Sequence, residues 1–278
     1  MKIIATHISP DLDAISSIWL IRRFMKGWAQ ATVKFVPAGT ALDGKNPDEN
    51  PNIIHVDTGF GKFDHHQDNE DTCAAKKVFL HLKKEKAFRT SQIEPIERMI
   101  EVINDIDHFR EVFLDEADKD IYDFNIVNII EGMRNQVNTP EDLVEFTQDM
   151  LDGLQQVFSN KVNAEREIAN GLIFKSRWGK TLAITTDNEE VVRLAQKKGF
   201  NMVIRKNSKN GYLRVKTQPL KKLNLKKLYD VFLEKDPKAY WFFHSSGNMI
   251  LNGSSKNPNT TPSKLSLNTV VEIVKNIV

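Results

Sequence analysis

The 278 residues contain one cysteine, Cys73, so neither an intramolecular disulfide nor a cysteine-built zinc site can form. No run of 18 apolar residues occurs, which leaves no stretch long enough to cross a bilayer as a helix. The opening residues, MKIIATHISPDLDA, lack the apolar core and small-residue cleavage site of a secretory signal, so a cytoplasmic location is expected. Internal repeats and low-complexity segments are also missing. What remains is 40% hydrophobic and 27% charged, the make-up of a soluble globular chain. Its length suits one large domain or two of ordinary size.

The net charge of +2 hides an imbalance. Residues 160–278 carry 22 Lys and Arg against 9 Asp and Glu, and residues 1–159 carry 17 against 28. Opposite fields suit the binding of cations by one half and of polyanions by the other. They equally suit two solvated surfaces that attract each other, and charge alone leaves both readings open.

Apolar runs at 2–6, 32–37 and 53–57 read as strands, and a broad apolar face from Ala14 to Phe24 reads as a helix that Asp13 could cap. Further helices are expected over 72–84, 92–109, 123–134 and from Pro140 to about Phe174. The Gly, Lys, Arg and Trp cluster at 171–180 marks a boundary, with domains at 1–172 and 173–278. Beyond it, strands are expected at 181–186, 201–206, 211–217 and 240–244, with helices at 188–198, 222–235 and 264–277. The fold class is α/β: a mostly parallel-sheet domain, then a smaller α/β domain.

The chemistry gathers between residues 7 and 66. His7, Asp11 and Asp13 occupy the loop after the first strand, where parallel sheets bind ligands. Asp57 ends the third strand. A glycine-punctuated turn then leads to Asp64-His65-His66. Carboxylates converging on one edge repel one another unless a cation neutralises them. Mixed imidazole and carboxylate donors favour Mn²⁺, Fe²⁺ or Zn²⁺ over Ca²⁺, with Mg²⁺ compatible. Any one of these motifs alone is weak, a loop cap or a solvated pair. In combination, each after a strand, they point to two divalent ions and in-line attack of water on phosphorus. His55, inside its strand, is read as structural.

His7-Ile-Ser-Pro-Asp11-Leu-Asp13, Asp57 and Asp64-His65-His66 resemble the first motifs of the DHH phosphoesterase superfamily, over about the first 110 residues. The resemblance implies one ion on His7, Asp11 and Asp57. It implies a second on Asp13, Asp57, His65 and a later aspartate, with Asp57 bridging and His66 facing the phosphate. Asp57 and His66 would then be the catalytic pair. For the later aspartate, Asp107 is favoured over Asp105, in a context similar to an RNA exonuclease branch typified by the melanocyte proliferating gene product. Phe242-Phe243-His244-Ser245-Ser246-Gly247 is similar to a terminal segment of that branch. The Pro-Asp-x-Asp form of the first motif and the missing glycine- and histidine-rich cluster depart from it.

The segment 244–256 offers small residues and side-chain donors for a phosphate: His244 and Lys256, joined by Arg205. The same stretch also reads as a hairpin turn. Tyr212, Tyr240, Trp241 and Phe243 could stack bases or fill a core. The expected function is a metal-dependent phosphodiesterase or exonuclease acting on single-stranded or short oligonucleotides in a cleft between the domains. Its cofactors are two divalent ions, Mn²⁺ first, its partners are nucleic acid or nucleotide and no membrane, and a homodimer is compatible. Hydrolysis of a phosphoanhydride such as pyrophosphate, and a non-catalytic metal- or nucleotide-binding module, stand as alternatives.

Overall fold

Residues 3–7, IIATH, are short, apolar and rich in β-branched side chains, the pattern of a strand buried on both faces. In the computed structural model, which describes residues 1–67, 69–254 and 256–277, they form β1 (Ile3–His7). β2 (Thr32–Val36) and β3 (Ile53–His55) flank β1 in the order β2-β1-β3, both parallel to it. All three strands therefore point their carboxyl ends to the same edge.

α1 (Leu12–Phe24) follows, with every residue from Leu12 to Ile21 buried. The helices α2 (Ala74–Lys84), α3 (Thr90–Asp107), α4 (Ile126–Met133) and α5 (Pro140–Ala169) complete the region. One core joins Ile4, Ile15, Trp19, Phe79, Ile96 and Leu151. The Trp19 indole N–H donates to Asp152 Oδ1 at 2.7 Å, so its buried polar edge is satisfied. Truncating a side chain so placed costs about 3–5 kcal/mol.

The capping expectation changes on this structure. Asp11, not Asp13, is the N-cap of α1: its Oδ1 accepts from Ala14 N at 3.0 Å. Asp13 is buried inside the first turn and accepts from Ala74 N (2.8 Å) and Ala75 N (2.7 Å). It caps a different helix, α2, whose first N–H groups have no partners of their own.

The chain divides into two compact units, Met1–Ser159 and Asn160–Val278, and the division falls within α5. It lies ahead of the glycine cluster because the helix continues through Gly153 and ends only at Ala169. The charge imbalance follows the same line.

The second unit contains β4 (Leu172–Ser176), β5 (Gly179–Thr185), α6 (Glu190–Lys197), β6 (Met202–Lys206), β7 (Leu213–Thr217), α7 (Lys226–Lys235), β8 (Phe242–Phe243), β9 (Met249–Asn252) and α8 (Leu267–Asn276). Its sheet runs β4-β5-β6-β7-β9-β8, and only β5 and β6 pair in parallel, with α6 as their crossover. Alternate residues serve opposite faces. Met202 and Ile204 pack with Val215, Phe232 and Trp241, whereas Val203 packs with Leu182, Val191 and Ile168.

The mostly parallel sheet thus holds for three strands only, and the larger sheet is mixed. β4 was expected as the end of a helix and β9 as part of a loop. Each is a four- or five-residue apolar stretch whose identity comes from a neighbouring strand. Among the described residues, no helix is long and apolar enough to cross a membrane.

Candidate metal centre

Four of the expected ligands in the first unit sit at the end of a strand or at an end of a helix. His7 closes β1, Asp11 caps the start of α1, Asp13 lies in its first turn and Asp107 is the last residue of α3. Asp57 follows β3 in a left-handed conformation (φ 52°), an uncommon state for a residue with a Cβ. Its N–H donates to Phe63 O at 3.0 Å, which closes the 57–63 loop and returns the chain to the sheet edge. Gly59 makes that turn at φ 80°.

Asp64 locks the returning strand of chain. Buried, it accepts from Phe60 N at 2.7 Å and from His66 N at 3.1 Å, and takes His66 Nδ1 at 2.7 Å. The sequence reading gave this residue no role of its own, although its place before the two histidines was the available signal. Cys73 is buried beside Asp13, and burial followed by that carboxylate pushes its thiol far up, so it stays protonated.

The donors converge. His7 Nε2 lies 3.1 Å from Asp57 Oδ2. His65 Nε2 lies 3.3 Å from Asp57 Oδ1, 3.6 Å from Asp107 Oδ2 and 3.8 Å from Asp13 Oδ2. Three overlapping groups result: His7, Asp11 and Asp57; Asp13, His65 and Asp107; Asp57, His65 and His66. In each, one donor atom per residue falls within 4.8 Å of the others. Asp57 is common to two of them. Its Oδ1 is buried and receives no well-aligned hydrogen bond among the described residues.

The electrostatics are those of carboxylates short of positive charge. Burial, reinforced by Asp57, raises the carboxyl groups of Asp11 and Asp13, the latter well above the usual range. Burial also raises Asp107. Asp57 itself is held low: burial opposes this, but the rings of His65 and His7 outweigh it. His65 in turn is raised to about 9, chiefly by Asp57. Protons thus take up the charge that a cation would otherwise neutralise. A mixed imidazole and carboxylate set gathered on the buried Asp57 fits a first-row divalent ion.

The other expected residues fall elsewhere. Asp105 is exposed and pairs with Arg110 at 2.9 Å, away from the cluster that Asp107 joins. His55 is buried, its Nε2 accepting from Leu42 N at 2.9 Å. Arg205, His244 and Lys256 all belong to the second unit. Arg205 is 4% exposed on β6, with Nη1 2.7 Å from Glu189 Oε1. It is therefore a buried ion-pair partner and not a surface phosphate contact. His244 opens a tight turn between β8 and β9, with Nδ1 2.9 Å from Ser246 Oγ, the hairpin alternative. Lys256 is exposed in a later turn, and Ser255 beside it lies outside the described residues. Trp241 is buried against Phe232 and Phe243 stacks on Tyr229, as core aromatics do.

No family model matches the chain, and no curated protein matches it. Among solved structures it is similar to a DHH-domain protein described as a member of the s1p family of ribosomal proteins. Identity is 13%, 98% of this chain and 85% of that chain are covered, and the TM-score is 0.31.

Proposed function

We propose that the chain is a metal-dependent phosphodiesterase that hydrolyses short single-stranded nucleic acids. The observation that carries this reading is Asp57, a buried carboxylate shared between two donor groups, with His7 against one oxygen and His65 against the other. His7, Asp11 and Asp57 would hold one ion, and Asp13, His65 and Asp107 the other; Asp57 also falls in a third donor group with His65 and His66. Held there, a pair of divalent ions, Mn²⁺ best suited to the donors, supplies Lewis acidity and lowers the pKa of water for attack on phosphorus. The resemblance of His7 to His66 to the DHH motifs supports the same reaction class. The second unit's 22 basic against 9 acidic residues support a polyanionic substrate.

His66 has a separate task. Asp64 holds its Nδ1, and the ring is more than half exposed, so Nε2 faces outward. With Nδ1 hydrogen-bonded to Asp64, the ring can act as an acid that gives a proton from Nε2 to the departing oxygen. The neutral ring that remains keeps its proton on Nδ1, toward Asp64. His66→Ala should lower kcat about 10²-fold while leaving bound metal near two per chain, read by elemental analysis. Loss of metal with unchanged kcat would reverse the roles of His65 and His66.

The decisive assay compares pyrophosphate, cyclic dinucleotides and strands of two, five and twenty nucleotides with Mn²⁺, Mg²⁺, Fe²⁺ and Zn²⁺. Preference for short strands is the expected result. Fast pyrophosphate cleavage without oligonucleotide cleavage would sink the nuclease reading. Tight metal binding without any turnover would make the chain a binding module.

A further inference from the structure

Among the described residues, six other than glycine hold a positive φ, and two of them are phenylalanines, Phe60 (57°) and Phe109 (55°). A bulky side chain in the left-handed region is strained, and strain of this kind concentrates at functional sites. Both rings are also exposed, Phe60 by 56% and Phe109 by 72%. Neither ring pairs with another aromatic ring among the described residues, and the edge of the Phe60 ring lies near Gly39. Each residue is held in place through its backbone, Phe60 N donating to Asp64 Oδ2 and Phe109 N to Ile106 O at 2.9 Å.

Both sit on the rim of the metal centre. A cavity of about 540 Å³ is lined by Asp13, His65 and Phe109, with Ile106, Val127 and Ile130 as an apolar wall. A second, of about 290 Å³, is lined by His7, Asp57 and Phe60. Asp11, His66 and Asp107 line both, so the two cavities adjoin there. The larger has the size of a small-ligand pocket. Glu111 and Glu131 also face it, Glu131 paired with Arg134, which leaves the Glu111 carboxylate to accept from the amino and ring N–H donors of a base.

Resting on the phosphodiesterase reading above, we propose that Phe60 and Phe109 are stacking platforms for the two bases that flank the scissile phosphate. The substrate unit is then a dinucleotide, whose phosphate lies where the cavities meet, and not a bare phosphoanhydride. Stacking on an aromatic face tolerates any base, so the platforms select for nucleotides without selecting sequence.

The test uses the full-length Mn²⁺-loaded protein with a dinucleotide, its two singly abasic analogues and its doubly abasic analogue. Phe60→Asn and Phe109→Asn keep a residue type that tolerates the left-handed backbone, and thermal melting should confirm that both variants fold. Each should raise KM for the dinucleotide roughly tenfold, with kcat within about twofold. Each should be indifferent to loss of the one base it serves, and Phe60→Trp or Phe109→Trp should restore the original KM. If both Asn variants bind the dinucleotide as the unaltered protein does, or if the doubly abasic analogue is cleaved equally well, the platforms are wrong and the phosphodiesterase reading survives. If the unaltered protein cleaves pyrophosphate and no diester, that reading fails and the platforms fail with it.

Discussion

Two clusters of charge, one in each unit, solve the same problem in opposite ways. In the second unit every carboxylate of the cluster has a cation: Glu189 pairs with both Arg205 and Arg214, and Asp187 pairs with Lys209, which lowers its carboxyl. In the first unit Asp11, Asp13, Asp57 and Asp107 meet one another and the rings of His7, His65, His66 and His108, and three of the four are raised. A closed set of ion pairs stabilises a fold. An acidic set whose positive partners are histidine rings alone loses them as pH rises unless another cation arrives, and this difference separates a structural cluster from a binding one.

The comparison breaks most visibly at Asp57. Asp57→Asn keeps the shape and the tolerance for φ 52° but removes the shared charge. Bound metal should fall below one per chain, and turnover should drop about a thousandfold, several kcal/mol of transition-state stabilisation. Two retained ions with near-normal turnover would remove the basis of the metal centre.

The next effect lies in stability, where the clusters should respond with opposite signs. Glu189→Gln leaves Arg205 buried without its partner and should cost about 2 kcal/mol by denaturant unfolding. Asp107→Asn removes one of four repelling carboxylates, so the metal-free protein should gain stability while losing its second ion. A loss in both variants would mean that the acidic cluster is held together by its own hydrogen bonds.

The third difference is in pH. His65 is raised from 6.5 to about 9, so the stabilisation from its protonated ring is complete below about 6.5 and is lost as pH rises through about 9. The raised carboxyl groups act in the same direction at lower pH, since their ionisation adds repulsion. The metal-free protein should therefore melt at lower temperature at pH 9.5 than at pH 6, and metal affinity should rise over that interval as the ligand proton leaves. Loaded protein should show no such fall, because the ions replace the protons. Parallel melting curves for the two forms would contradict the idea that protons stand in for metal.

The smallest effect concerns salt. For a single-stranded oligonucleotide the log–log slope of affinity against salt is about −0.7 per phosphate contacted. Lys256→Ala should flatten it by about one contact, because Lys256 is exposed. Arg205→Ala should lower stability and leave the slope unchanged, because Arg205 is buried against Glu189. An altered slope for Arg205→Ala would restore it as a phosphate contact.

The sequence by itself determined the local facts: which residues close strands, which loops hold donors, and that an acidic N-terminal half is followed by a basic one. These depend on short-range patterns, so His7, Asp11, Asp57, His65 and Asp107 were legible before any coordinates, as were most of the helices. Only the tertiary structure decided what depends on distant partners. Asp13 caps α2 across sixty residues of chain, and β4 and β9 become strands only by pairing with β5 and β7. Arg205, which reads as a surface cation, is withdrawn by its pairing with Glu189. In the sequence Phe60 lies in a glycine-punctuated turn and Phe109 at the end of an expected helix, and neither is marked out for a role. Their left-handed backbones and exposed rings follow from loop closures at Asp64 and Ile106 that no local periodicity encodes, because backbone hydrogen bonds and burial belong to the assembled chain and not to its segments.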